Sequence, residues 1–324
     1  EMPLWAYAVS TPPQPGDMAP PVVYPGPGPR DGDDADEVNL PRQVEGSAAT
    51  FSRMQIRYGH NVIDWFPTEH PPMTDIMRMG PASLADEHGF GCAFCHLPNG
   101  KGRPENAPTA GQPVGYTIQQ LRDMADGLRI SADARKRNSP IMNELAAAMT
   151  DDEMQQAAEY FAAIPWTPWI EVIETDLIPE MHLEEGNMFI TVGTEPSEPL
   201  NGRIVETPVD AFQANYLRNP RSPWIAYVPI GAVARGEELV TTGGGKTIQC
   251  SICHGPDLMG LADFPGIAGR SPSYMMRQLW DLKVGTRKGP YAVLMQPTIA
   301  NLTVEDMRDI VAYLASLTPL PASD

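Results

Sequence analysis

At 324 residues, with 42% hydrophobic and 20% charged side chains, the chain is long enough for two or three domains and has the make-up of a globular protein, not a disordered one. A formal net charge of −18 and a pI near 4.7 exclude nucleic acid and anionic membrane surfaces as partners, since both would repel it. That acidity either favours a basic docking face on a partner or simply keeps an exported protein soluble, and no stretch approaches the roughly eighteen continuous apolar residues of a membrane span.

Residues 1–45 lack periodicity. They hold Pro-Pro, the run Pro25-Gly26-Pro27-Gly28-Pro29 and the acidic residues Asp31, Asp33, Asp34, Asp36 and Glu37, which predicts an extended, partly polyproline-like arm. Phe51, Ile56, Val62, Ile63, Trp65 and Phe66 follow, aromatics and aliphatics suited to anchoring that arm on its own protein. Pro81 to His88 reads as a short helix. Beyond it come a Gly/Pro/Asn loop from Pro98 to Gly115, a helix over Thr117–Leu128 and a short helical piece near Pro140. A last helix is signalled by a Thr150/Glu153 capping box, with Met154, Ala157, Ala158 and Phe161 on one face. Residues 165–231 fit none of this pattern, and Met188–Val192 and Gly202–Val205 read as short strands of a β-rich insertion. From Ala234 the helical pattern begins again.

Two pentapeptides carry the chemistry. Cys92-Ala93-Phe94-Cys95-His96 and Cys250-Ser251-Ile252-Cys253-His254 both read C-x-x-C-H, the sequence at which haem is attached covalently. Two thiols three positions apart can each add to one vinyl group of a porphyrin, and the adjacent histidine then offers a nitrogen to the iron. The competing readings are a redox-active or zinc-binding C-x-x-C and a disulfide framework. All four cysteines are used in the two motifs, so neither has a thiol to spare and a zinc site would need pairs far apart in sequence.

The register that lays Cys92 on Cys250 also lays Pro98 on Pro256, Gly102 on Gly260, Tyr116 on Tyr274, Leu121 on Leu279 and Arg129 on Arg287; beyond a short deletion, Met142 meets Met295, Thr150 meets Thr303 and Met154 meets Met307. The chain contains a duplicated unit. Of its seventeen methionines, Met154 and Met307 lie in register with the apolar face of the last helices, where core packing explains them. Met142 and Met295 lie in proline-punctuated segments expected to be loops, and a loop can present a thioether to an iron. They are the candidate sixth ligands. Arg129 and Arg287 either pair with haem propionates or are surface charge. His60, His70, His88 and His182 have no repeat partner and read as solvated or hydrogen-bonded residues.

Each unit resembles a class I cytochrome c, and the tandem is similar to the dihaem cytochromes c of the bacterial periplasm, over about residues 81–164 and 234–318. The resemblance implies a mainly α fold of two class I cytochrome c domains, 76–164 and 234–324; the Pro-rich arm at 1–75 and the β/loop-rich insertion at 165–233 are read from the residues alone, and the resemblance does not cover them. It implies two covalently bound haem c groups on Cys92, Cys95, Cys250 and Cys253, with His96, Met142, His254 and Met295 on the irons. In that family a loop proline carbonyl commonly holds the proximal imidazole; Pro265 matches for His254, whereas Ala107 stands at the equivalent place for His96 and leaves its acceptor open.

The implied function is an electron carrier, not an enzyme, with redox partner proteins: a dehydrogenase donor and an oxidase or other cytochrome as acceptor. The implied location is the periplasm, with an export signal removed. Two alternatives stand beside it. A haem enzyme, a dihaem peroxidase or sulfur-compound oxidoreductase, needs an iron that opens, and the symmetric methionines argue against that. An obligate subunit of a larger complex would use the arm and the insertion for assembly.

Overall fold

In the arm, proline denies the chain long helices and short caps start the ones that form. The computed structural model describes residues 1–184 and 188–318. A 3-10 turn at Leu4–Tyr7 is followed by helices α1 (Ala35–Asn39) and α2 (Arg53–Ile56). The Asp34 carboxylate accepts the Asp36 and Glu37 amides at the start of α1, and Ser52 with Gln55 makes a capping box at the start of α2. The arm wraps the protein. Tyr7 is buried on the second unit and its hydroxyl donates to Asp281 at 2.6 Å, while Val44, Ile56, Trp65 and Phe66 form a small core with Leu217 of the insertion. The arm's aromatics thus anchor it to its own protein.

The first unit contains α3 (Asp75–Met79), α4 (Cys92–His96), α5 (Val114–Ala125), α6 (Asn138–Ala148) and α7 (Asp151–Ala162). The expected helix over Pro81–His88 is absent. Ala82–Leu84 makes one 3-10 turn, after which the Gly89 amide closes on the Leu84 carbonyl at 2.9 Å and the chain folds back. Gly89 lies so close to that turn that a Cβ there would sit 2.7 Å from Leu84 Cβ. Helix α7 starts at the Thr150/Glu153 capping box and buries Met154, Ala157, Ala158 and Phe161, the face the sequence predicts.

The insertion forms β1 (Ile170–Glu174), β2 (Leu177–Glu184), β3 (Met188–Pro199), β4 (Val205–Pro208) and β5 (Trp224–Val228). β2 and β3 pair as an antiparallel hairpin, and a second sheet has the order β1-β5-β4, parallel then antiparallel. That sheet joins the two halves. Trp169 and Trp224 sit in the first unit's core and Val172 packs on the second's. Buried Glu206 on β4 accepts the Ser271 hydroxyl at 2.8 Å and the Ser273 amide at 2.7 Å at the start of the long helix that follows the second motif.

The second unit contains α8 (Ala232–Thr242), α9 (Ser251–His254), α10 (Pro272–Val284), α11 (Ala292–Ile299) and α12 (Val304–Ser316). Its expected C-terminal limit, 324, lies outside the described residues. Helices α8 and α12 approach so closely at Gly236 that a Cβ there would fall 1.9 Å from the Asp309 carbonyl oxygen. The fold is mainly α with a β/loop-rich insertion. Among the described residues no helix is long and apolar enough to cross a membrane.

Candidate haem centres

Each C-x-x-C-H motif folds as about one helical turn, which brings its two cysteines to one face. None of the four cysteines is joined in a disulfide. Burial, and then the neighbouring cysteine, pushes the Cys92 thiol up to about 12 and the Cys250 thiol up to about 11.

The proximal histidines are held alike. His96 Nδ1 lies 2.8 Å from the Ala107 carbonyl oxygen, and His254 Nδ1 lies 2.8 Å from that of Pro265. A carbonyl only accepts, so Nδ1 carries the proton and Nε2 keeps its lone pair for a metal. Burial lowers both imidazole pKa values, which favours the neutral ring. The open question of the His96 acceptor is answered by the main chain: the bond is to a peptide oxygen, so alanine serves as well as proline.

One cavity of about 480 Å³ runs past both motifs, lined by Cys92, Cys95, His96 and Met142 on one side of the repeat and by Cys250, Cys253, His254 and Met295 on the other. The structure therefore brings the eight expected haem-binding residues to one cavity. Met142 and Met295 lie on α6 and α11, not in loops. Pro140 occupies the first turn of α6, where its missing N–H has no intrahelical acceptor, whereas Pro297 lies inside α11, where it removes the amide that would bond the Val293 carbonyl, and the helix ends two residues later at Ile299. Met124, Met149 and Met275 also line the cavity, so it is the repeat that singles out the pair. Met154 and Met307 are buried in core clusters.

The two arginines meet where the units meet. Arg129 and Arg287 form an antiparallel bridge, flanked by Ile130 N–H to Thr286 O at 3.1 Å and Lys288 N–H to Leu128 O at 2.8 Å. Arg129 donates to Gln120 (3.1 Å), Gln278 (2.7 Å) and the Tyr274 hydroxyl (3.0 Å). Arg287 donates to Gln278 (3.3 Å), Gln120 (2.7 Å) and the Tyr116 hydroxyl (3.1 Å). The surface-charge reading is wrong for both. Gln120 and Gln278 escaped the sequence reading, although they are a repeat pair and that was the signal for them.

The cavity wall is rich in buried cations. Lys136 is 4% exposed and burial pulls its ammonium down to about 7. Arg270 is 2% exposed, burial pulls it down to about 9, and its Nε and Nη2 have no hydrogen-bond partner among the described residues. An uncompensated buried cation is costly, and an anionic ligand relieves it. Haem propionates supply that charge, so the donor set and the wall both fit the group.

The protein-family model described as cytochrome c matches residues 233–318. A relative named thiosulfate dehydrogenase electron acceptor, from Stutzerimonas stutzeri strain A1501, is 41% identical over 73% of this chain and 81% of its own length. The chain belongs to the class I c-type cytochromes, in their dihaem form. Cytochrome c4 of Pseudomonas aeruginosa is 24% identical over 74% of this cytochrome and 89% of its own length. The solved structure of Acidithiobacillus ferrooxidans cytochrome c4 aligns with a TM-score of 0.44 at 23% identity, over 70% of this chain and 98% of that one.

The two cysteine pairs of this dihaem cytochrome carry two covalently bound haem c groups, and the protein is an electron carrier that works with redox partners. When bound, each haem supplies a one-electron iron couple. Among the described residues the remaining histidines do not line the cavity. His88 meets the Tyr58 hydroxyl at 3.0 Å, His60 the Gly89 carbonyl at 3.0 Å, His70 is buried between Asp64 and Tyr160, and exposed His182 meets Glu184 at 3.0 Å.

Proposed function

We propose that this dihaem cytochrome carries single electrons in the periplasm through two irons, one held by His96 and Met142 and the other by His254 and Met295. Its units are the haem domains 76–164 and 234–324, the arm 1–75 and the insertion 165–233. The observation that supports the reading is that both repeat-paired methionines line the same cavity as the motifs, where each could serve an iron as sixth donor and close it to substrate. Methionine raises the potential and suits the iron to accept electrons. The donor is a dehydrogenase acting on a sulfur compound, a reading supported by the 41% identical relative, and the acceptor is an oxidase or another cytochrome.

The test is an optical titration of the purified holoprotein. Thiosulfate alone leaves it oxidised, and a catalytic amount of thiosulfate dehydrogenase then reduces both haems. The ferrous form is low-spin and unchanged by carbon monoxide. A carbon monoxide shift, or thiosulfate turnover by the protein alone, would move the enzyme reading to the front.

A further inference from the structure

Each proximal histidine is bonded to a carbonyl of its own module, but the loop that carries this carbonyl is held from the other module. Gln112 and Arg270 are repeat partners, and so are Pro108 and Gly266. Gln112 meets Gly266 twice: its Nε2 donates to the Gly266 carbonyl at 3.0 Å, and its Oε1 accepts the Gly266 N–H at 3.0 Å. Arg270 Nη1 donates to the Pro108 carbonyl at 3.0 Å. All three bonds are buried.

The symmetry of the repeat ends at the atoms. The Gly266 N–H belongs to the same peptide group as the Pro265 carbonyl, which accepts the His254 Nδ1 proton. One hydrogen-bonded chain therefore runs from Gln112 Oε1 through that peptide to the imidazole. The equivalent peptide of the first module joins Ala107 to Pro108, so its nitrogen carries no hydrogen, and the residue that faces it across the boundary is an arginine, which has donors only. No such chain can form there. The second loop is also fixed where it stands: a Cβ on Gly266 would lie 2.6 Å from the Met259 carbonyl oxygen, so this peptide is wedged between Met259 and Gln112.

We propose that Gln112, in the first module, is a positioning residue for the proximal histidine of the second. A peptide whose N–H is already bonded is a stronger acceptor at its oxygen, by roughly 10–30% per bond in a chain. The Pro265 carbonyl then holds the His254 Nδ1 proton more firmly, and an imidazole that has partly yielded this proton is a better donor at Nε2. A better donor favours ferric iron and lowers the reduction potential. Arg270 supplies nothing comparable to His96, because it reaches the carbonyl of Pro108, one peptide beyond the one that accepts the His96 proton. Two centres with the same expected ligands thus differ in how firmly their histidines are held, and the difference is set across the module boundary.

The inference rests on ligation of the second iron by His254, and the test keeps the two apart. The purified holoprotein is titrated potentiometrically while NMR follows the haem methyl resonances of each module, and the Nδ1 protons of His96 and His254 are observed in the ferrous form. Gln112→Leu removes the acceptor. It is expected to change the reduced-to-oxidised ratio of the second haem about threefold at fixed poise, a rise of about 30 mV at about 59 mV per tenfold, and to leave the first haem where it was. The His254 Nδ1 proton moves upfield, as for a weaker hydrogen bond, while that of His96 stays. Gln112→Glu keeps an acceptor oxygen and holds the second potential at or below the wild-type value. An equal shift of both haems, a shift confined to the first, or a rise with Glu as large as with Leu would overturn the positioning role, since Gln112 would then act as packing. Should Gln112→Leu fail to fold, the wild type still decides: the His254 Nδ1 proton is expected downfield of that of His96, and the reverse order overturns the inference. His254→Gly is expected to turn one haem high-spin until imidazole is added; two low-spin haems without imidazole would overturn the ligation itself and the inference with it.

Discussion

At the scale of residues, the centres rest on side chains whose hydrogen bonds fix what each can do. The two histidines spend Nδ1–H on a carbonyl and keep the Nε2 lone pair free, and in the proposed ligation Met142 and Met295 supply the other face of each iron. Met142→Leu and Met295→Leu are each expected to open one iron, so that about half of the haem binds carbon monoxide in a difference spectrum, and the double variant to open both. His70 is a different kind of residue. Its Nδ1 meets the Tyr160 hydroxyl at 2.8 Å and the Pro71 carbonyl at 2.9 Å, and its Nε2 meets Asp64 at 3.2 Å, so the doubly protonated ring satisfies both sides. Burial opposes that charge, but the hydrogen bonds to Asp64 and Pro71 and the charges of Asp64 and Glu69 outweigh it and raise the pKa. A raised pKa contributes stability that is complete below the ordinary histidine value, near 6.5, and is lost as pH rises through the folded-state value. Thermal unfolding of the wild type is therefore expected to fall between pH 6 and 8 relative to His70→Gln, and parallel curves would refute it. The sequence showed the histidine but not this network, because Asp64, His70 and Tyr160 come together only when the arm lies against α7.

At the scale of elements, one crossing sets the second module. Helix α8 meets α12 at Gly236, where a methyl group would need the space of the Asp309 carbonyl. Gly236→Ala is expected to cost about 2–3 kcal/mol through overpacking and to lower the melting midpoint, followed by Soret circular dichroism; a midpoint within error of wild type would mean the crossing gives way cheaply. The helices legible in the sequence were those whose ends are written in side chains. Thr150 with Glu153 and Thr303 with Asp306 make capping boxes that start α7 and α12. Helix α5 lies near its expected span, running from Val114 to Ala125 and not from Thr117 to Leu128, since Pro113 ends the preceding loop earlier than periodicity alone shows. Helices α6 and α11 were hidden by their prolines, which read as loop signals: Pro140 stands in a first turn, where a helix tolerates it, and Pro297 lies inside α11, which stays short and ends at Ile299. Pro81–His88 failed for the opposite reason: its proline start is a good helix signal, but the close packing of Gly89 on Leu84 turns the chain back.

At the scale of the whole molecule, duplication was legible because each half repeats the same residues in the same register, whereas the meeting of the halves was not, since repeat partners say nothing of contact between copies. The structure shows that contact to be made by the repeat itself: Tyr116, Gln120 and Arg129 of one module face Tyr274, Gln278 and Arg287 of the other, and each guanidinium donates to glutamines of both. Four of these six hydrogen bonds cross between the modules, each contributing about 1 kcal/mol net, beside further crossing bonds from Gln112 to Gly266, Arg270 to Pro108 and Arg277 to Pro104. Removing both arginines also leaves Gln120 and Gln278 at the interface without these partners. The Arg129→Ala/Arg287→Ala variant is therefore expected to bind both haems and keep its methionine–iron band, while its unfolding splits into two transitions, one per module, where the wild type unfolds in one. The insertion sheet still spans both cores and limits how far the modules part, so the split should be clear in denaturant and slight in X-ray scattering. A single transition for the double variant would mean that the sheet, the arm, which ties Tyr7 to Asp281 in the second module and Ala19 to Ala134 in the first, and the remaining direct bonds such as Gln112 to Gly266 couple the modules without the arginines.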